Sequence, residues 1–282
     1  MFKIFTTATA LALSSTAAFA AGHATMTGYG LGADGASLAV FADMNAPEGA
    51  EMLTLTGGMV DAIAYRPVTG ELLGFSKAGK VFVIDTDTGA LSDTGATFAP
   101  EVTMGAEAAV AFDFNNKIDA VRAVSSDGVN VVYFPSDFGD DKANSVRRFT
   151  DLAYAEGDAN QAATPMIFAN AYTNAVNGAK QDDTFQYALD GGIDALVSLA
   201  NNEGTLSTVA PLTLDGEPVD VAMTGGFEII SAAAGDDTAI ALLSMEGGET
   251  SGLYQIDLSS GAMTLMGDTG MSGFTGFAAK ID

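Results

Sequence analysis

VDAIAYRPVTGELLGFSKAGKVFVIDTDTGALSDT, residues 60–94, reads as four short strands separated by three turns. The strands are Val60 to Arg66, Glu71 to Phe75, Lys80 to Asp85 and Ala90 to Thr94. The first three are brief runs dominated by Val, Ile, Leu, Phe and Ala, and turn formers bound them. The turns carry Pro67-Val68-Thr69-Gly70, Lys77-Ala78-Gly79 and Thr86-Asp87-Thr88-Gly89. Glycine there permits positive φ, and Asp and Thr bond the local backbone. Four consecutive strands joined by tight turns predict an antiparallel meander, the unit of a β-propeller blade.

The same pattern recurs along the chain. An aromatic or apolar pair followed by Asp or a turn residue appears as Val40-Phe41-Ala42-Asp43, Phe82-Val83-Ile84-Asp85, Val132-Tyr133-Phe134-Pro135, Tyr187-Ala188-Leu189-Asp190 and Tyr254-Gln255-Ile256-Asp257. Intervals of roughly 40–65 residues point to radially repeated small sheets, because one such sheet cannot bury both faces alone. Further meander units start at Ala108, near Met166 and at Val219. The two ends are unequal. The start supplies strands Thr27 to Leu31, Ser37 to Asp43 and Glu51 to Thr56, and the tail supplies only Phe274 to Ile281. Pairing the tail strand with the first three closes a ring and removes exposed edges. The expectation is an all-β propeller of five four-stranded blades, or six if Asp151 to Asn174 hides extra strands. A β-sandwich or parallel β-helix is the competing architecture. Phe138 to Ala163 is the least regular segment and reads as a disordered or solvated insertion.

Residues 1–20 read as a cleaved signal peptide. Lys3 gives a basic start, Ile4 to Leu13 is mostly apolar, and Ala18-Phe19-Ala20 offers small residues for cleavage after Ala20. The apolar stretch is shorter than the roughly 20 residues needed to span a bilayer. The remainder, residues 21–282, is expected to form one soluble domain in the periplasm or outside the cell. The chain has no Cys, so neither a lipid anchor on Cys nor a disulfide is available. Its net charge of −25 repels nucleic acid and anionic lipid. Neither nucleic acid nor membrane insertion is expected. The acidic residues are scattered, which fits a salty medium better than a dedicated basic partner.

Side-chain chemistry narrows the function classes. The one His, His23, sits beside the expected new N-terminus, so a Ser-His-Asp hydrolase is not supported. Thiol catalysis and metal sites built from His and Cys are excluded by composition. Carboxylates remain. Asp85-Thr86-Asp87-Thr88-Gly89 resembles the start of a calcium loop but lacks the closing bidentate Glu. No cofactor is therefore predicted, with calcium at Asp85 and Asp87 as the open alternative.

Six phrases in order resemble the family catalogued as domain of unknown function 4394. They are Ala64-Tyr65-Arg66-Pro67 with Thr69-Gly70-Glu71-Leu72, Ala111-Phe112-Asp113-Phe114-Asn115 with Asp119 to Ser125, Ala171-Tyr172-Thr173-Asn174, Asn201-Asn202-Glu203-Gly204-Thr205-Leu206, Gly226-Phe227-Glu228-Ile229, and Leu253-Tyr254-Gln255-Ile256-Asp257 with Ser260-Gly261-Ala262. The resemblance implies an exported propeller-type module and brings no activity with it. The chain departs from the family pattern at Ala64, where the phrase reads Asp-Phe-Arg-Pro, and at Glu228, where it reads Gly-Phe-Asp-Ile.

Within these phrases Arg66, Asp113, Asn115, Arg122, Tyr172, Asn174 and Glu228 are polar positions in or beside apolar strands. Most fall on or next to the strand expected to line the central channel. A buried Arg demands an acidic partner, and Asp113 and Asp119 are the candidates. One reading is a pairing network between blades; the other is a polar ligand pocket at a channel mouth. The expected function is binding of an unspecified small molecule, glycan or protein partner, or an envelope-associated role. The alternative is a hydrolase or lyase using channel carboxylates such as Asp113 and Glu228, with calcium assisting.

Overall fold

The computed structural model describes residues 25–282. The expected leader, residues 1–20, and His23 lie outside them. Phe274–Ile281 runs antiparallel to Met26–Gly32, with Phe277 opposite Gly30. Ser37–Phe41 and Glu51–Thr54 complete this sheet, blade I. The tail thus supplies the inner strand of a blade whose other three strands come from the head, which is the closure the unequal ends predict. Asp282 N–H donates to Thr25 O at 2.9 Å, and Thr27 Oγ1 donates to Asp282 Oδ2 at 2.7 Å.

Blade II comprises Ala62–Arg66, Glu71–Ser76, Lys80–Ile84 and Leu91–Asp93. Blade III comprises Val110–Asn115, Ala120–Ser125, Asn130–Phe134 and Ser145–Arg148. Blade IV comprises Ile167–Tyr172, Gln186–Asp190, Ala195–Ala200 and Thr205–Pro211. Blade V comprises Val221–Ser231, Asp237–Met245, Ser251–Ile256 and Ala262–Asp268. In blades II to V the first-named strand is the inner one. Inner strands pack in the ring order I, II, III, IV, V and back to I. The protein is a five-bladed β-propeller, and Asp151 to Asn174 holds no sixth blade.

Each strand sends alternate side chains into the two neighbouring blades, so inner strands are mostly buried. Every residue of Val110–Asn115 is buried. The result is one apolar layer per interface. Phe75 meets Phe112 at 5.4 Å between blades II and III, and Phe41 meets Phe274 at 6.1 Å in the layer that blade I shares with blade V.

The linkers between blades carry a device of their own. Thr97–Phe98 leaves blade II and pairs in parallel with the outer strand of blade III. Ala153–Tyr154 leaves blade III and does the same on blade IV, and Thr213–Leu214 repeats it on blade V. Thr56 forms the equivalent parallel bridge to Ala90 at blade II. Each linker thereby covers the outer edge of the next blade before turning toward the axis. This places Phe138 to Ala163 differently from the expected insertion. It contains Ser145–Arg148 and Ala153–Tyr154, with Val146 fully buried and Tyr154 Oη donating to Asp190 Oδ2 at 2.7 Å.

One irregularity shapes the channel. The inner strand of blade V bulges between Val221 and Gly225. Gly225 has φ +109°, and a Cβ there would lie 1.9 Å from Leu242 O. At Gly226 a Cβ would meet the Phe277 backbone N at 2.3 Å. Only glycine lets blades V and I close this tightly.

Candidate functional site

The seven polar positions singled out by the sequence do not form one pocket. Asp113 and Glu228 lie on the inner strands of blades III and V, which are not neighbours, and their carboxyl groups are hydrogen-bonded to each other. Tyr172 N–H donates to Asp113 Oδ2 at 2.7 Å. Ala279 N–H donates to Glu228 Oε2 at 3.4 Å, and Ile229 N–H to Glu228 Oε1 at 3.1 Å. Both residues are buried. Burial pushes both carboxyls well above their ordinary range, and the Asp113 charge raises Glu228 further. Two carboxylates in contact cannot both ionise, so the pair retains a proton.

Arg66 ends the inner strand of blade II and faces the rim where inner strands finish. Its Nε donates to Asp119 Oδ1 at 2.8 Å, and its other nitrogens reach Asp137 at 2.8 Å and Glu71 at 3.1 Å. Burial pulls the guanidinium down, but the bonds to Asp119 and Asp137 more than offset it and hold it charged. Asp119 is therefore the partner of Arg66, and Asp113 is not.

Arg122 lies on the second strand of blade III, in register with Asp113. It bonds neutral oxygens: Nε donates to Tyr172 Oη at 2.9 Å, one terminal nitrogen to Asn202 Oδ1 at 2.9 Å, and the other to Asn130 Oδ1. Tyr172 Oη donates on to Asn201 Oδ1 at 2.9 Å, and Asn115 Nδ2 reaches the same oxygen at 3.4 Å. Burial pushes the Tyr172 hydroxyl up to about 12, against the pull of Arg122. This seam ties blade III to blade IV. Asn174 ties blade IV to blade V, accepting Gly235 N–H at 2.7 Å and giving its own N–H to Asp237 Oδ1 at 2.8 Å. These five polar groups thus act mainly as ties between blades.

Asp85 Oδ1 accepts the N–H groups of Thr88 at 2.9 Å and Asp87 at 3.0 Å, which stabilises its own turn and lowers its pKa. Among the described residues, no group of three or more His, Cys, Asp and Glu side chains is placed to hold a metal ion.

An open cavity lies at the other mouth, where inner strands begin. Its volume is about 400 Å³. Asp34, Asp61 and Glu107 contribute carboxylates to its lining, and Met59, Val60, Phe168 and Met223 contribute apolar surface. Thr224, within the bulge of blade V, and Thr275 add hydroxyls. Lys77 is held in the wall: its Nζ donates to Ala106 O at 2.7 Å and Ala108 O at 2.9 Å and lies 3.5 Å from Asp61 Oδ1. Asp61 Oδ2 in turn accepts Lys77 N–H at 2.7 Å.

The cavity tapers to an axial constriction of about 10 Å³, with which it shares Val110, Phe168 and Gly225. The constriction is lined by residues of all five inner strands, Asn170 of blade IV among them. Asn170 is 1 % exposed, and neither its Oδ1 nor its Nδ2 has a hydrogen-bond partner. That space suits one water molecule. Sequence reading missed these residues. Asp34 and Lys77 look like ordinary turn residues, and Asp61 and Glu107 like ordinary linker residues. Asp61 and Glu107 stand just before the start of an inner strand, and Asp34 and Lys77 in turns at the same mouth; only that shared mouth distinguishes them.

Structural neighbours share little sequence with the chain. A protein of unknown function from Bacteroides caccae matches with TM-score 0.42 and 8% identity, covering 90% of this chain and 98% of that one. An auxiliary nutrient binding protein from Bacteroides ovatus matches with TM-score 0.42 and 15% identity, covering 72% of this chain and 50% of that one. A nidogen/laminin complex matches with TM-score 0.48 and 11% identity, covering 90% and 98%. No curated protein matches the chain. The family model for domain of unknown function 4394 matches residues 39–278, from the second strand of blade I to its closing strand, and the chain belongs to that family.

Proposed function

We propose that the protein is an exported, non-enzymatic propeller that binds a ligand in the cavity at the mouth where inner strands begin. The observation that carries this reading is the cavity of about 400 Å³. It falls in the size range of small-ligand sites and mixes apolar walls with a few polar groups. Residues 1–20 support export.

The competing hydrolase reading is weaker on geometry. A glycosidase needs its two carboxyls about 5–9.5 Å apart, flanking the bond to be cleaved. Asp113 and Glu228 bond each other instead and are buried. No sugar fits between them.

The test is a thermal-shift screen of the full chain against amino acids, amines and glycans, repeated with Thr224→Trp. Thr224 is exposed, so the indole crosses the mouth without disturbing the core. A ligand that raises the melting temperature of the wild type and leaves the variant unmoved supports the reading. A ligand acting equally on both overturns it.

A further inference from the structure

We propose that the ligand carries an alkylammonium group: a small organic amine that enters the mouth cavity with its charged head toward the acidic lining. This rests on the binding role argued above and specifies the ligand class.

The charge balance comes first. Asp34, Asp61 and Glu107 face the cavity, with Lys77 as the cation in its lining. Lys77 is already committed to Ala106 O, Ala108 O and Asp61. Asp34 Oδ1 is also used, accepting Ala36 N–H, Ser37 N–H and Ser37 Oγ. Asp34 Oδ2 and the exposed Glu107 carboxylate remain for a ligand. The chain's net charge of −25 adds a field that draws cations inward.

A second, independent observation lies at the floor. Asn170 is buried, lines the constriction beneath the mouth, and has both polar atoms without a partner. A buried amide in that state is destabilising unless something bonds it. A single water fits the constriction and would carry a hydrogen bond from Asn170 up to a donor in the mouth.

The remaining chemistry separates an amine from a bare metal ion. Calcium takes 6–8 oxygens at 2.3–2.6 Å. Among the described residues no acidic cluster offers such a set, and one oxygen each of Asp34 and Asp61 is spent on backbone N–H groups. An ammonium needs fewer ligands, and its hydrocarbon stem matches Met59, Val60, Phe168 and Met223, whose thioethers and rings make an adaptable apolar wall.

The experiment is calorimetric titration of the full chain at low salt with hexylamine, hexanol and hexanoate. Hexylamine is expected to bind, and the matched alcohol and acid are not. Glu107→Gln and Asp34→Asn should each weaken hexylamine several-fold, while Asp182→Asn, on an exposed loop at the opposite rim, should change nothing. Equal loss in all three variants means diffuse surface attraction and overturns the site. Binding of hexanol or a glycan that Thr224→Trp abolishes overturns the amine assignment but keeps the ligand-binding role. Binding of a lysine-bearing peptide without hexylamine moves the ammonium to a partner protein and overturns the small-molecule assignment. No binding by any probe in this or the broader screen removes both readings.

Discussion

Asp113 and Glu228 join two blades that do not touch in ring order, through carboxyl groups that share a proton. Arg122 lies in register beside Asp113 and bonds Tyr172 Oη, and Tyr172 N–H bonds Asp113.

That arrangement sets a pH dependence. Both carboxyls have raised pKa values in the fold, so the folded state binds more protons than the unfolded chain above about pH 4. Their stabilising contribution is complete below the unfolded value and is lost as pH rises through the folded one. Asp113→Asn keeps the acceptor for Tyr172 N–H and supplies a donor to Glu228 at every pH. Urea unfolding from pH 4 to 8 should therefore show the variant gaining on the wild type as pH rises, by up to about 1.4 kcal/mol per unit for each proton involved. A gap that shrinks with rising pH would refute the shared proton.

Surface acids oppose this trend. Hydrogen bonds from Ser259 and Ser260 hold Asp257 at about 2. Its contribution is present above the unfolded carboxylate range and fades as pH falls toward that lowered value. Ser259→Ala should lower stability slightly above pH 5 and flatten the acid limb, its difference from the wild type fading as pH falls toward 2, as read by the same titration.

Arg66 is the charge whose removal should be felt most. Arg66→Met leaves Asp119 buried without its cation, at an expected cost of about 3–5 kcal/mol. Arg66→Met combined with Asp119→Asn should recover a large part of that. A double variant as unstable as the single one would show that packing, and not the stranded carboxylate, dominates.

The glycines give a contrast of position. Gly226→Ala drives a methyl into the Phe277 backbone and should destabilise by at least about 1–3 kcal/mol. Gly79→Ala meets nothing within 4 Å, so it bears only the strain of φ +84°. Melting temperatures should rank the first well below the second.

Truncation after Gly273 removes the inner strand of blade I. Met26–Gly32 then loses its partner on the axial side, and the layer holding Phe41, Phe274 and Phe277 opens. The truncated chain should lose cooperative unfolding and become sensitive to protease. A truncated chain that melts as sharply as the whole would show that the closing strand is dispensable.

Much of this fold is legible in the residues. Gly70, Gly79 and Gly89 take positive φ in the turns where glycine is expected, and the lone tail strand forces the closure. The linker clips are not legible. Thr97–Phe98 and Ala153–Tyr154 are two residues long, too short for any alternation to register, and they pair in parallel with strands far away in sequence. The polar group is half legible. Asp113, Glu228 and Arg122 stand out in apolar strands, but which of them meet depends on ring geometry. The mouth is the least legible part, since a rim carboxylate and a turn carboxylate look alike without the coordinates.

Thr25 and Asp282 are bonded at the rim where inner strands finish, while the cavity opens where they begin. A surface or tag fastened through residue 282 therefore holds the molecule with its cavity turned toward the solution. Immobilisation by that end should leave ligand capture intact, whereas a lysine-directed attachment through Lys77 would press the cavity against the support.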